Sequence, residues 1–144
     1  MDVIFSKDAF LEGQLLLVDK PLEWTSFQLM NKIRWAIRKT YGIKKIKVGH
    51  AGTLDPLATG LMLICTGKMT KQINQYMGMD KSYTGTFRLG GTTPSYDLET
   101  AVSNPRPTDY ITTALLEETR NTFLGKIQQK PPLHSAIKKD GKRL

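Results

Sequence analysis

The residue with the clearest chemical prospects is Asp55, set in the segment GHAGTLDPLATG, Gly49 to Gly60. Gly49, Gly52, Pro56 and Gly60 within so short a stretch predict a loop rather than a helix or strand. Glycines in a loop also allow a ligand to approach the backbone closely. An aspartate before a proline is by default a turn former, but two features argue for more. The carboxylate directly follows a stretch, Trp24 to Leu54, that holds no acidic residue and carries Lys32, Arg34, Arg38, Lys39, Lys44, Lys45 and Lys47. A phosphate-bearing substrate would concentrate there. The next acid downstream is Asp80. Glycoside hydrolysis by the usual routes needs a pair of carboxylates, so the pattern favours chemistry with one.

Other reactive side chains are few. His50 and His134 are the only histidines and Cys65 the only cysteine. That set builds neither a histidine cage nor a multi-cysteine zinc site, and allows no disulfide within the chain. Cys65 lies in the apolar run LMLIC and is expected to be a buried structural thiol. Taken singly, His50 reads as a loop histidine bonded to backbone, Tyr83 as a sheet residue facing a core, and Lys20 as a strand-end lysine.

The elements that must position these residues follow from periodicity and punctuation. Gln14 to Asp19 reads as a short buried strand stopped by Lys20-Pro21. Thr25 or Ser26 offers an N-cap for a helix to about Lys39, with Phe27, Met30, Ile33 and Ile37 as its apolar stripe and Gly42 to end it. Lys45 to Val48 and Leu61 to Cys65 read as strands, and Lys68 to Met77 as a helix. Tyr83 to Leu89 alternates as a strand does, with Tyr83, Phe87 and Leu89 on one face. Gly90 to Thr108 is a long loop, and Thr112 or Thr113 caps a helix to about Phe123, closed by Gly125. Ser135 to Lys138 is strand-like and Asp140-Gly141 is a turn, but only Lys142, Arg143 and Leu144 follow. The hairpin is therefore expected to lack an adequate partner strand. This order of elements argues for an α+β domain and does not by itself reveal how the strands pair.

Composition narrows the class. With 144 residues, 40% hydrophobic and 24% charged, the chain suits one ordinary globular domain. Its apolar runs are far too short to span a bilayer. The first ten residues lack the apolar stretch of a signal peptide, which favours the cytoplasm. The net charge of +8 gathers in two patches, the acid-free stretch and Lys126 to Arg143. Two such patches suggest a polyanion partner, most simply nucleic acid.

Four segments, in order, resemble the B-type (TruB-type) tRNA pseudouridine synthase family. GHAGTLDPLATGLM resembles its central motif. GQLLLVDKPLEWTS resembles its opening motif, with Lys20, Pro21, Thr25 and Ser26 in place. KSYTGTFRLGGTTPSYD resembles the next, with Tyr83, Leu89, Gly90, Thr93 and Asp97. QQKPPLHSAIKKDGKRL resembles a fourth, with Pro131, Ser135, Ala136, Lys138 and Gly141. The resemblance implies a mixed, largely antiparallel sheet flanked by helices, of which residues 1–144 would be the N-terminal part of a catalytic domain. It implies isomerisation of a T-loop uridine of tRNA (uridine 55) to pseudouridine, with no metal, no cofactor, no membrane and no obligate protein partner. The base is cut from C1′, turned and rejoined through carbon. Asp55 matches the catalytic aspartate, acting as nucleophile or base. Tyr83 matches a tyrosine that stacks on the flipped base, and His50 a position packed against the rearranged T-loop. Lys20 would support the active-site loops or contact phosphate, and Asp97 would be a further substrate-binding position.

Departures from the family pattern are Pro94 where an aspartate is common, Thr100 where a turn glycine is common, and His134 where a tyrosine is usual. The family's later KGTYIR-type motif, whose arginine pairs with the aspartate, and its C-terminal RNA-binding domain have no counterpart in these residues. A buried carboxylate without a cationic partner tends to the neutral form, so this chain is expected to be inactive alone. The alternatives are a guide-RNA-dependent, dyskerin-like synthase, a non-catalytic RNA-binding fragment, and a small basic structural protein.

Overall fold

The computed structural model describes residues 5–129 together with residues 138–139 and 142–143. It divides into two compact units, Met1–Tyr83 and Thr84–Leu144. Helix α1, Lys7–Glu12, was not expected from periodicity. Its local signal is Ser6, whose hydroxyl accepts from the Ala9 N–H at 3.1 Å, with Asp8 in the first turn. Strand β1, Leu15–Lys20, leads to helix α2, Ser26–Tyr41. Thr25 and Gln28 form a reciprocal capping box at the start of α2, and Gly42 ends it in the left-handed conformation at φ 63°.

Strands β2, Val48–His50, and β3, Gly60–Thr66, complete an antiparallel sheet of order β1-β3-β2. Leu16 pairs with Ile64 and Val18 with Met62 along β1 and β3. Because side chains alternate across a strand, these four share a face, and they pack with Leu29, Met30 and Ile33 of α2. A second cluster joins Phe10, Ile37, Ile43 and Ile46. Cys65 is fully buried, and burial pushes its thiol pKa up.

Three expectations shift. Phe27 is not in the apolar stripe but 63% exposed; the buried face runs through Ser26, Leu29, Met30 and Ile37. That set keeps the helical spacing with a serine in the first place. The second strand begins at Val48, not Lys45, because register with β3 (Val48 opposite Thr66, His50 opposite Ile64) decides its limits. Ile46 goes to the core instead. The segment after β3 starts as a 3-10 helix, Gly67–Gln72, before helix α3, Ile73–Met77.

Tyr83 to Leu89, which belongs to the second unit from Thr84 onward, forms no strand; Phe87 is 91% exposed. Alternation alone does not hold a strand without a neighbour to accept its hydrogen bonds. The 90–108 loop contains one isolated bridge, Thr92 with Ser103. Helix α4, Thr113–Asn121, is capped by Thr112, whose hydroxyl accepts from Leu115 N–H at 3.2 Å. It stops short of Phe123, where Thr119 and Thr122 turn their hydroxyls onto backbone carbonyls. Strands β4, Lys138–Lys139, and β5, Lys142–Arg143, do pair, with Lys139 opposite Lys142. The expected Asp140-Gly141 turn and the strand residues Ser135 to Ile137 lie outside the described residues.

Candidate active site

Asp55 is exposed, and among the described residues its carboxylate takes part in no hydrogen bond or ion pair. The expectation of a buried carboxylate needing a cation therefore does not describe it here. Its backbone, by contrast, is held on both sides. On the N-terminal side the Ser26 hydroxyl donates to the Leu54 carbonyl and accepts from the Leu54 N–H, each at 2.9 Å. On the C-terminal side the Pro56 carbonyl accepts from the Glu23 N–H at 2.8 Å. The Asp55 carbonyl closes the turn by accepting from Ala58 N–H at 3.0 Å. Glu23 reaches Pro56 from a left-handed backbone, φ 65°, a conformation uncommon for a non-glycine residue.

Lys20 lies beneath this loop with no exposed surface. Its ammonium donates to the carbonyls of Trp24 at 2.6 Å, Pro21 at 3.0 Å and Pro56 at 3.3 Å. A buried cation is tolerated when its donors are satisfied, and here one side chain ties the end of β1, the approach to α2 and the Asp55 loop together. Of the two roles considered for Lys20, this geometry fits loop support and leaves no surface for a phosphate.

His50 ends β2, half-buried, with Nδ1 2.6 Å from the Gly52 carbonyl. A carbonyl only accepts, so Nδ1 carries the proton and Nε2 is the nitrogen available to a ligand. The next residue, Ala51, donates its N–H to Leu63 of β3 at 2.9 Å, anchoring the start of the loop to the sheet. Tyr83 is 72% exposed at the end of the first unit, its ring open to solvent. Asp97 belongs to the second unit, where its Oδ1 accepts from the Glu99 N–H at 2.9 Å. The Ser95 hydroxyl and then the Glu99 N–H lower its pKa. Structure thus gathers Lys20, His50 and Asp55 on one framework, whereas Tyr83 and Asp97 share no hydrogen bond with that framework among the described residues.

Two groups of basic residues take shape in the first unit. A cleft of about 440 Å³ is lined by Lys45 and Lys47 together with Lys68 and Lys71. Lys68 pairs with Glu12 at 2.8 Å, but both side chains are largely exposed, and such a pair is weak. Sequence reading had Lys45 and Lys47 but missed Lys68 and Lys71, which the turn after β3 brings opposite them. On the outer face of α2, Lys32 and Lys39 lie 5.0 Å and 4.8 Å from the ring centre of the exposed Trp35.

A family model, TruB family pseudouridylate synthase (N terminal domain), matches residues 38–144. The chain is 59% identical over 138 residues to the tRNA pseudouridine synthase B of Flavobacterium johnsoniae, covering 95% of this chain and 60% of that protein. It is 57% identical over 134 residues to the protein of that name from Phocaeicola vulgatus, covering 93% of this chain and 57% of the relative. With the Chloroherpeton thalassium protein, also a tRNA pseudouridine synthase B, identity is 51% over 133 residues, 92% of this chain and 54% of the other. The chain thus spans about 60% or less of the length of these relatives.

Proposed function

From the premise that this chain belongs to the TruB family of pseudouridylate synthases, we propose that it serves pseudouridine formation in tRNA, at the T-loop uridine 55, as a cytoplasmic activity without a cofactor. The observation that carries this reading is Asp55: an exposed carboxylate on a backbone clamped at both adjoining residues. Cutting and remaking a bond at C1′ needs one carboxylate aimed at the sugar. A backbone held in place supplies that aim before substrate arrives. Asp55 acts on the sugar as nucleophile or as base. Tyr83 stacks on the flipped base, His50 offers Nε2 to the T-loop, and Asp97 contributes to substrate binding. Lys20 keeps the loop in shape. The lysines of the 440 Å³ cleft suit contact with tRNA phosphates outside the reacting nucleotide.

The test is tritium release from C5-labelled uridine in a T-arm transcript, run on the full-length protein and on the 144-residue chain. The full-length protein is expected to release tritium, and the 144-residue chain, which spans 60% and 57% of the length of its two relatives from Flavobacterium johnsoniae and Phocaeicola vulgatus, very little. Asp55→Asn is expected to abolish release while tRNA affinity stays within a few-fold, because phosphate contacts dominate binding. More than trace turnover by Asp55→Asn would remove Asp55 from the chemistry. Tight tRNA binding by the unsubstituted full-length protein with no product would instead favour a non-catalytic RNA-binding role.

A further inference from the structure

Ser26 occupies an odd place. It is the first residue of α2 and sits in the buried stripe of that helix, only 2% exposed, where an apolar side chain would be expected. Helix capping does not explain it, since Thr25 already fills that role through the capping box with Gln28. Its hydroxyl instead spans 28 residues to hold both polar groups of Leu54. The Leu54 carbonyl belongs to the same peptide plane as the Asp55 N–H. Fixing that carbonyl therefore fixes the plane from which the Asp55 side chain departs.

We propose that Ser26 is a positioning residue for the reaction at Asp55, setting the orientation of the Leu54–Asp55 peptide; the inference rests on the catalytic reading of Asp55 given above. The C-terminal neighbour is held redundantly, since Pro56 has a fixed φ and its carbonyl has two donors, Glu23 N–H and Lys20 Nζ. The side chain of the N-terminal neighbour, Leu54, packs against the cluster of Leu29, Met30, Met62 and Ile64, but both of its backbone polar groups depend on one hydroxyl. Removing that hydroxyl leaves the Leu54 N–H and C=O without their partner at once, and the packed side chain alone does not fix the tilt of the peptide plane that aims the carboxylate. Misplacing a reacting group by about 1 Å can cost about a hundred-fold in rate.

The experiment compares Ser26→Ala, Ser26→Thr and Thr25→Ala in the full-length protein, with Asp55→Asn alongside, by steady-state pseudouridylation of tRNA and by melting temperature. Thr25→Ala removes the helix cap and lowers stability without touching Leu54, so it reports what a merely structural loss does. Ser26→Ala is expected to lower kcat roughly ten- to hundred-fold relative to Thr25→Ala, with KM for tRNA within about two-fold, since no RNA contact is removed. Ser26→Thr keeps the hydroxyl and is expected to recover part of kcat. If Ser26→Ala does not fold, Ser26→Cys, similar in shape and a weaker hydrogen-bond partner, carries the same comparison. A kcat for the Ser26 variants within about two-fold of Thr25→Ala, with Asp55→Asn inactive, would overturn the positioning role alone. Turnover by Asp55→Asn would instead overturn the underlying reading of Asp55.

Discussion

The two units of this chain solve the problem of burial very differently. In Met1–Tyr83, a helix, a three-stranded sheet and two apolar clusters enclose Phe10, Leu29, Met30, Ile37, Met62 and Ile64. In Thr84–Leu144, none of the hydrophobic side chains among the described residues is buried, and Phe87, Tyr96, Tyr110 and Phe123 are all exposed. Full burial of such a side chain stabilises by about 1.5–3 kcal/mol, a contribution the first unit collects repeatedly and the second does not. The lesson for function is that Lys20, Ser26, His50 and Asp55 stand on the unit with its own core. A loop carrying an exposed carboxylate keeps its shape only if what lies under it is firm.

The contrast can be broken most directly by truncating one large side chain in each unit. Ile64→Ala, at a site with no exposed surface, is expected to cost about 2–5 kcal/mol. Phe87→Ala, 91% exposed, is expected to stay within about 0.5 kcal/mol. Urea unfolding of both variants decides the matter, and equal losses would mean that the second unit packs more than its exposure indicates.

A glycine in each unit sharpens the same point. Gly67 and Gly125 both have positive φ, 52° and 80°. Any side chain there carries a backbone penalty of about 1–3 kcal/mol. At Gly67 an added Cβ also collides with the Phe10 and Leu11 carbonyls of α1, whereas at Gly125 it meets open space. Gly67→Ala is therefore expected to lower stability by roughly 1–3 kcal/mol more than Gly125→Ala. Melting temperatures that fall equally would argue against a close seat of α1 on the turn after β3.

Tyr83 tests whether the framework of the first unit extends to the base. Stacking on a base contributes about 1–3 kcal/mol, so Tyr83→Leu is expected to weaken T-arm binding roughly ten-fold or more, and Tyr83→Phe to preserve it. A Leu variant that binds and turns over like the unsubstituted protein would leave Tyr83 as an ordinary exposed aromatic.

The smallest effect belongs to Asp97, in the second unit. Its pKa is lowered by the Ser95 hydroxyl first and the Glu99 N–H second. A depressed carboxyl contributes stability above its unfolded pKa of about 3.9, and loses that contribution as pH falls through the folded value. The carboxyl resonance of Asp97 in an NMR titration is expected to have its midpoint below the unfolded value, and Ser95→Ala to move it upward. A midpoint at or above the ordinary value would show that the loop is not held as described.

What the sequence determined by itself was whatever a few neighbouring residues can encode. An N-cap at Thr25 or Ser26 and the stop at Gly42 made α2 legible, and the apolar runs marked β1 and β3. Crowded glycines and a proline marked the Asp55 loop, and its motif pointed to a family. Tertiary structure decided what depends on distant partners. Phe27 fits the helical period as well as Leu29 does, and only the sheet beneath selects the face. The limits of β2 followed from pairing with β3, and Tyr83 to Leu89 alternated as a strand yet formed none. Lys20 could have been a surface lysine until its ammonium was found on Pro56, 36 residues away, and Ser26 a plain helix start until its hydroxyl was found on Leu54, 28 residues away. A hydrogen bond across such a separation leaves no periodic trace in the chain, because nothing in either local segment requires the other. The pairing of β1 with β3 brings Lys20 to Pro56, and the packing of α2 on the sheet brings Ser26 to Leu54.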